Sequence, residues 1–292
     1  AMASRVSGID VILGGHTHDG MPQPTTVKNN GGQTLVCNVG SNGKFLGVMD
    51  LDIRNGKVQG YNYRLMPVFS EIIPADPAMA KLITDIRAPY TDWLNEELAV
   101  ADEVMFRRGN FNGTFDQVIC DALMSVNNAQ ISLSPGFRWG TSVLEGQKVT
   151  MEHVLDQTCL TYPETYVRPM KGSDLKLILE DVADNIFNPE PYLQSGGDMV
   201  RVGGFDYICD PLQPIGKRIS EMTLDNGEKI EANKTYTVSG WATVGSKSDG
   251  PIIWDVVAEY LRDKQVARIE KLNTPVLKNV ADNPGIADYP KA

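Results

Sequence analysis

Near the start of the chain the apolar residues come in short runs broken by Gly, Asn and Asp, a pattern that predicts strands rather than helices. Ile9 to Leu13 is such a run, closed by Gly14-Gly15, and it predicts a buried strand. TLVCNVG (34–40) and FLGVMDLDI (45–53) predict two more. DIRNGKVQGYNYRL (52–65) predicts a hairpin turning through Asn55-Gly56, because both turn positions need a left-handed backbone that these residues tolerate. Residues 9–66 therefore read as mostly β. The few residues before them read as a short helix entering a strand, as if continued from an earlier segment.

After Pro67, Pro74 and Pro77 the period changes. Met79, Leu82, Ile83, Ile86, Tyr90 and Leu94 recur at three or four, which predicts a helix over 78–98 that Pro89 should kink or interrupt. It reads as a connector between two domains, giving segments 1–67, 68–100 and 101–292.

The third segment interleaves the two periods. Thr114 and Gln117 fit a capping box opening a helix through FDQVICDALMSV (115–126), and AQISLS (129–134) is a strand. Thr150 precedes the helix MEHVLDQ. Ser173 is placed to cap DLKLILEDVADNIF, whose Leu175, Ile178, Leu179, Val182 and Ile186 line one face. MTLDNGEKI predicts a hairpin through Asp225-Asn226-Gly227, TYTVSGWA a strand and WDVVAEYLRD a late helix. Such alternation predicts an α/β or α+β domain.

Composition narrows the function. Of 292 residues 42% are hydrophobic and 22% charged, as in globular proteins, and no run of apolar residues is long enough to cross a membrane as a helix. The net charge of -10 disfavours a general nucleic-acid binder, which needs clustered Lys and Arg. Cys37, Cys120, Cys159 and Cys209 form no CxxC pair and read as buried free thiols in apolar stretches.

Candidate chemistry lies in VILGGHTHDGMP. It holds two of the three histidines, His16 and His18, just past the apolar run. Two imidazoles one residue apart can converge on a metal ion, and Gly14-Gly15 lets the backbone turn sharply beside it. The alternative is a pair of solvated loop histidines. Asp19 reads equally as a partner for a histidine ring nitrogen or as a solvated acid. His153, in a predicted helix, carries no assigned role.

GGHTHDGMP resembles the last metal-binding motif of the calcineurin-like metallophosphatases in their 5′-nucleotidase branch. With IDV just before it, the motif is similar to that of the SoxB family of sulfur-oxidation thiosulfohydrolases. The resemblance implies the tail of a metallophosphatase β-sandwich, a connecting helix and a 5′-nucleotidase-type C-terminal α/β domain. It implies that His16 binds one ion and His18 the other of a dinuclear centre, described as manganese in that family. Arg138 in LSPGFRWG matches the family's substrate arginine, and Tyr162 falls at or beside a base-stacking aromatic. Asp249-Gly250 match the family's Asp-Gly loop. Read from the residues alone, Arg138 could equally be a surface ion-pair partner and Tyr162 plain packing; Phe205 and Tyr207 suit core better than contact.

Two departures separate the chain from nucleotidases. Pro251, Ile252 and Ile253 follow Asp249-Gly250 where a second aromatic is expected, and Ser134 stands where an asparagine opens the arginine loop. A base sandwich needs two rings, so a non-nucleotide substrate is favoured. The resemblance implies release of sulfate from a cysteine S-sulfonate on a sulfur-carrier protein of the SoxYZ type, in the periplasm. A nucleotidase or related phosphoesterase, and a non-catalytic substrate- or partner-binding module, are the alternatives. Two histidines cannot hold two ions, so the catalytic set is expected to be incomplete in this chain. Weak metal binding and no efficient hydrolysis are expected without the preceding metallophosphatase portion.

Overall fold

The computed structural model describes residues 1–107, 111–137, 140–243 and 248–280. The chain divides into two compact units, Ala1–Pro89 and Tyr90–Ala292.

The first unit opens with α1 (Met2–Arg5) and three strands, β1 (Val11–Gly14), β2 (Thr25–Asn29) and β3 (Gly32–Asn38), in the order β1-β3-β2. β1 runs parallel to β3 and β2 antiparallel to it. The expected strand at 9–13 exists, but it is not buried: β1 is an edge strand and Leu13 is 78% exposed. β2, polar and threonine-rich, was not apparent from apolar periodicity. β4 (Phe45–Arg54) and β5 (Lys57–Pro67) form the predicted hairpin. Its turn residues Asn55 and Gly56 have φ 51° and 69°, the left-handed pair expected of a tight two-residue turn. α2 (Pro77–Arg87) follows, its first turn capped by Asp76, which accepts from the Met79 N–H at 2.8 Å. The predicted helix over 78–98 is shorter than its periodicity suggested. A 3-10 turn at Ala88–Tyr90 breaks it at Pro89.

The second unit begins with α3 (Thr91–Leu94) and then β6 (Glu97–Ala101), so Leu98 is a strand residue. Then come α4 (Thr114–Val126), β7 (Ile131–Ser134), β8 (Lys148–Thr150), α5 (Met151–Thr158), β9 (Thr165–Lys171) and α6 (Gly172–Phe187). β10 (Arg201–Gly203), β11 (Phe205–Cys209), β12 (Ile219–Leu224), β13 (Thr235–Trp241), α7 (Ile253–Lys264), β14 (Val266–Ala267) and β15 (Val276–Leu277) complete it. The fold is mixed α/β, as expected. Its central sheet has the order β10-β7-β13-β9; smaller sheets are β12-β11-β15 and β14-β6-β8.

Alternation in the strands sorts the faces. Ile131, Leu133, Val202 and Val238 join Leu175, Leu179 and Ala183 of α6 and Phe205, Tyr207 and Ile219 in one core. Phe205 and Tyr207 are thus core residues. On the other face the strands carry Ser132, Ser134 and Gly203. A side chain at Gly203 would meet Ser132 Oγ and the Cys120 Cβ, so this glycine lets α4 approach the sheet closely. Phe115, Val118, Ile119 and Leu123 of α4 then pack with Val154 of α5 and Val256, Val257 and Leu261 of α7 in a second core.

Two caps differ from expectation. The residue before α4 is Gly113, and Thr114 instead donates to the Val104 carbonyl at 2.7 Å and accepts from the Phe106 N–H at 3.0 Å. α6 begins before Ser173; Asp174 accepts from the Lys171 N–H at 3.2 Å. Thr150 does cap α5. Its partner is His153, whose Nδ1 accepts from the Thr150 N–H at 3.0 Å. Cys37, Cys120 and Cys209 are buried, but Cys159, just past the end of α5, is exposed.

Candidate functional site

The histidine loop leaves the C-terminal end of β1. Gly15 to His18 form a turn in which the His18 N–H reaches the Gly15 carbonyl at 3.3 Å. His18 sits at φ 60°, a left-handed conformation that a non-glycine residue adopts only at some cost. Neighbouring strands hold the loop on both sides. Asn38 Nδ2 donates to Thr17 Oγ1 at 2.9 Å, and the Gly40 N–H reaches the Asp19 carbonyl at 2.8 Å. Gly14 is packed tightly, since a Cβ there would lie 3.1 Å from the Cys37 carbonyl oxygen. His16 is exposed and His18 half-buried; Asp19 is exposed. Imidazoles on a braced loop suit Mn, Zn, Fe or Ni in kind. In number they fall short: among the described residues no group of three or more His, Cys, Asp or Glu could hold an ion.

In the second unit the sheet itself gathers the other candidates. β7 and β13 run parallel, so the loops after them leave the same end. β10 and β9 run antiparallel to these strands, with Arg201 opposite Ser134 and Thr165 opposite Trp241. The segments entering β10 and β9 therefore lie at that same end. Tyr162 lies on the segment entering β9, 47% exposed. Asp249-Gly250 lie on the loop after β13. The two segments are laced together: the Gly250 N–H reaches the Thr165 carbonyl at 2.9 Å and the Ile253 N–H reaches the Pro163 carbonyl at 2.9 Å. A side chain at Gly250 would lie 2.6 Å from the Thr165 carbonyl oxygen, so glycine is required. Ser134 is buried and accepts from Trp241 Nε1 at 2.9 Å, which ties the ends of β7 and β13 together. Arg138 lies outside the described residues.

Sequence reasoning missed a buried charged cluster beneath this end. Asp116, in the first turn of α4, accepts from Arg107 Nε at 2.7 Å, Arg201 Nε at 3.2 Å and the Gly113 N–H at 3.1 Å. Arg201 also reaches Asp198 at 3.2 Å and the Met199 carbonyl at 3.3 Å. Arg107 donates to the carbonyls of Gln157 and Pro135. Arg107, Asp116 and Arg201 are 1% exposed or less. The available signal was Arg201 inside the apolar run MVRVGG and Asp116 next to Phe115 at the start of an otherwise apolar helix. Such charges are buried only when paired.

Residues 97–259 match the family described as 5′-nucleotidase, C-terminal domain. The chain belongs to that family. Among solved structures this nucleotidase-type chain is similar to the sulfate thiohydrolase SoxB of Thermus thermophilus, with a TM-score of 0.86 and 32% identity over 94% of this chain and 51% of that one. A 5′-nucleotidase precursor of Thermus thermophilus shares the fold, with a TM-score of 0.78 and 20% identity over 95% of this chain and 61% of that one. The trifunctional nucleotide phosphoesterase YfkN of Bacillus subtilis is 26% identical over 85% of this chain, which covers 17% of that protein. The nucleotidase-type chain thus spans about half the length of the two Thermus proteins, 51% and 61%, and a smaller part of the Bacillus one.

Proposed function

We propose that this chain is the C-terminal portion of a dinuclear metal hydrolase that releases sulfate from a cysteine S-sulfonate on a sulfur-carrier protein. One observation carries the reading. Of two Thermus thermophilus proteins of this fold, the chain is 32% identical to the sulfate thiohydrolase and 20% to the nucleotidase. The rim of the second unit agrees with it. Tyr162 is an exposed ring, and across the laced loops the described residues Asp249, Gly250 and Pro251 supply no second aromatic to complete a base sandwich.

On this reading His16 and His18 each hold one metal ion, manganese by resemblance, and the remaining donors come from a preceding metallophosphatase portion. Two bound ions supply a water of lowered pKa and stabilise charge on the departing group. The chain's own residues hold and orient. Asn38 fixes the turn between the two imidazoles through Thr17, Arg138 meets the anionic sulfonate, and Tyr162 packs against the carrier's arm. The setting would be periplasmic.

Joined to such a metallophosphatase portion and supplied with manganese, the protein should release sulfate from an S-sulfonated carrier, read by ion chromatography, and leave AMP intact. The likeness to the Bacillus phosphoesterase favours a second reading as a nucleotidase. Phosphate release from AMP without sulfate release would establish that reading instead. The chain by itself should bind manganese weakly in calorimetry; tight uptake of two ions would overturn the shared-donor arrangement.

A further inference from the structure

We propose that Asp116 is a positioning residue: through Arg107 and Arg201 it sets three loops of the recognition end in fixed relation to one another. The inference deepens the reading of that end as a substrate end and rests on it for the meaning of "recognition".

Stability alone does not account for the cluster. A buried ion pair surrounded by apolar residues is no more stabilising than well-packed hydrophobic residues of the same volume, so it is weak evidence of a stabilising role. What ions offer is direction. A guanidinium presents five donors in a rigid planar fork, and each donor fixes the line to its acceptor. Here the acceptors beyond carboxylate are main-chain carbonyls, and all lie in segments at the same end of the sheet. Arg107 takes Pro135, in the loop after β7, and Gln157, in the last turn of α5. Arg201 takes Met199, in the segment entering β10. Asp116 clamps both guanidiniums, one on each carboxylate oxygen.

Gly136 shows how closely two of these loops are fitted. A Cβ there would lie 2.4 Å from the Met199 carbonyl oxygen and 2.8 Å from the Asp198 Cβ. The loop after β7 therefore lies against the very backbone that Arg201 holds. Arg107 also lies 5.5 Å from the centre of the Phe137 ring, over its face. Gln157 carries the restraint onward: its Nε2 donates to the Thr141 carbonyl at 2.6 Å, and a side chain at Gly140 would collide with its amide. The loop after β7 is thus held at both ends by groups that lead back to one carboxylate. That loop contains Arg138, and the α5 end leads straight to Tyr162.

The test is Asp116→Asn, which keeps shape and removes the charge that holds both arginines, read by amide hydrogen exchange on the whole chain. Exchange in 136–137, 157–162 and 198–200 should accelerate at least about 10-fold more than exchange in 219–230. Uniform acceleration across the second unit would reduce the cluster to a general stabiliser and overturn the proposal, as would no acceleration in the three loops. Should Asp116→Asn fail to fold, Arg107→Lys decides by the same readout. It keeps the charge balance but cannot reach Asp116 and two carbonyls at once.

A second readout uses the chain joined to its metallophosphatase portion. Asp116→Asn should raise KM for the S-sulfonated carrier about 10-fold with kcat within about 3-fold, the signature of lost binding rather than lost chemistry. An equal fall in kcat with KM unchanged would overturn the proposal. Exchange needs no turnover, so a protein that hydrolyses nothing would count against the hydrolase reading while leaving the loop result to stand or fall by itself.

Discussion

Helices α2 and α4 are similar in length, 11 and 13 residues, and both carry an apolar stripe, yet α2 buries none of its residues and α4 buries nine. The same contrast runs through the two units. Both hydrophobic cores lie in residues 90–292, where helices cover the two faces of the central sheet. Residues 1–89 bury few large apolar side chains, among them Leu35 and Tyr63. They leave Leu46, Ile53, Ile72, Leu82 and Ile86 at least half exposed. Periodicity reveals which face of an element is apolar; it does not reveal what, if anything, covers that face.

Four measurements would break or sharpen this contrast. The largest effect belongs to Asp116→Ala, which strands two buried guanidiniums; it should cost about 3–5 kcal/mol in denaturant unfolding. A cost below about 1 kcal/mol would mean that the arginines find other partners or water. Next, Leu179→Ala in the second unit should cost about 2–5 kcal/mol, and Leu82→Ala on the open face of α2 less than about 0.5 kcal/mol. The reverse ranking would refute the contrast outright.

The third effect depends on pH. Burial, with Asp225 and Glu270 nearby, pushes the Asp121 carboxyl up to about 6 although Gln117 donates to it. A folded-state value above the unfolded one favours the folded state fully at low pH, and that advantage is lost as pH rises through about 6. Asp121→Asn should therefore gain about 1–3 kcal/mol relative to wild type between pH 4 and 7, with little difference at pH 4. A difference that stays flat across that range would show that the carboxyl is not held as described. The smallest effect leaves stability unchanged. Cys159 should react with a maleimide at once, whereas Cys37, Cys120 and Cys209 wait for unfolding, because they are buried and burial pushes their thiols up. Immediate labelling of Cys120 and Cys209 as well would point to an open second unit.

Much of the architecture was legible because it rests on local signals. The Asn55-Gly56 turn, the break at Pro89 and the stripe of α6 each follow from a few adjacent residues. What was not legible is non-local. Leu98 continues a helical period but lies in β6, whose Glu97 and Ala99 pair with Thr150 and Val149 of β8. Thr114 has the look of a cap, yet its hydroxyl is drawn to Val104 and Phe106, and a close approach there requires Gly113 before it. At the candidate site the histidine loop was legible as a motif. The Arg107–Asp116–Arg201 cluster joins residues up to 94 positions apart, and no spacing rule announces it.

The arrangement of the central sheet has an evolutionary consequence. Parallel β7 and β13, flanked by antiparallel β10 and β9, gather four connections at one end of the sheet, while the packing that folds the unit lies on the two broad faces. Residues in those connections, Pro251 among them, can therefore change without disturbing the packing on the broad faces. The same fold occurs in a sulfate thiohydrolase and in a 5′-nucleotidase precursor of Thermus thermophilus.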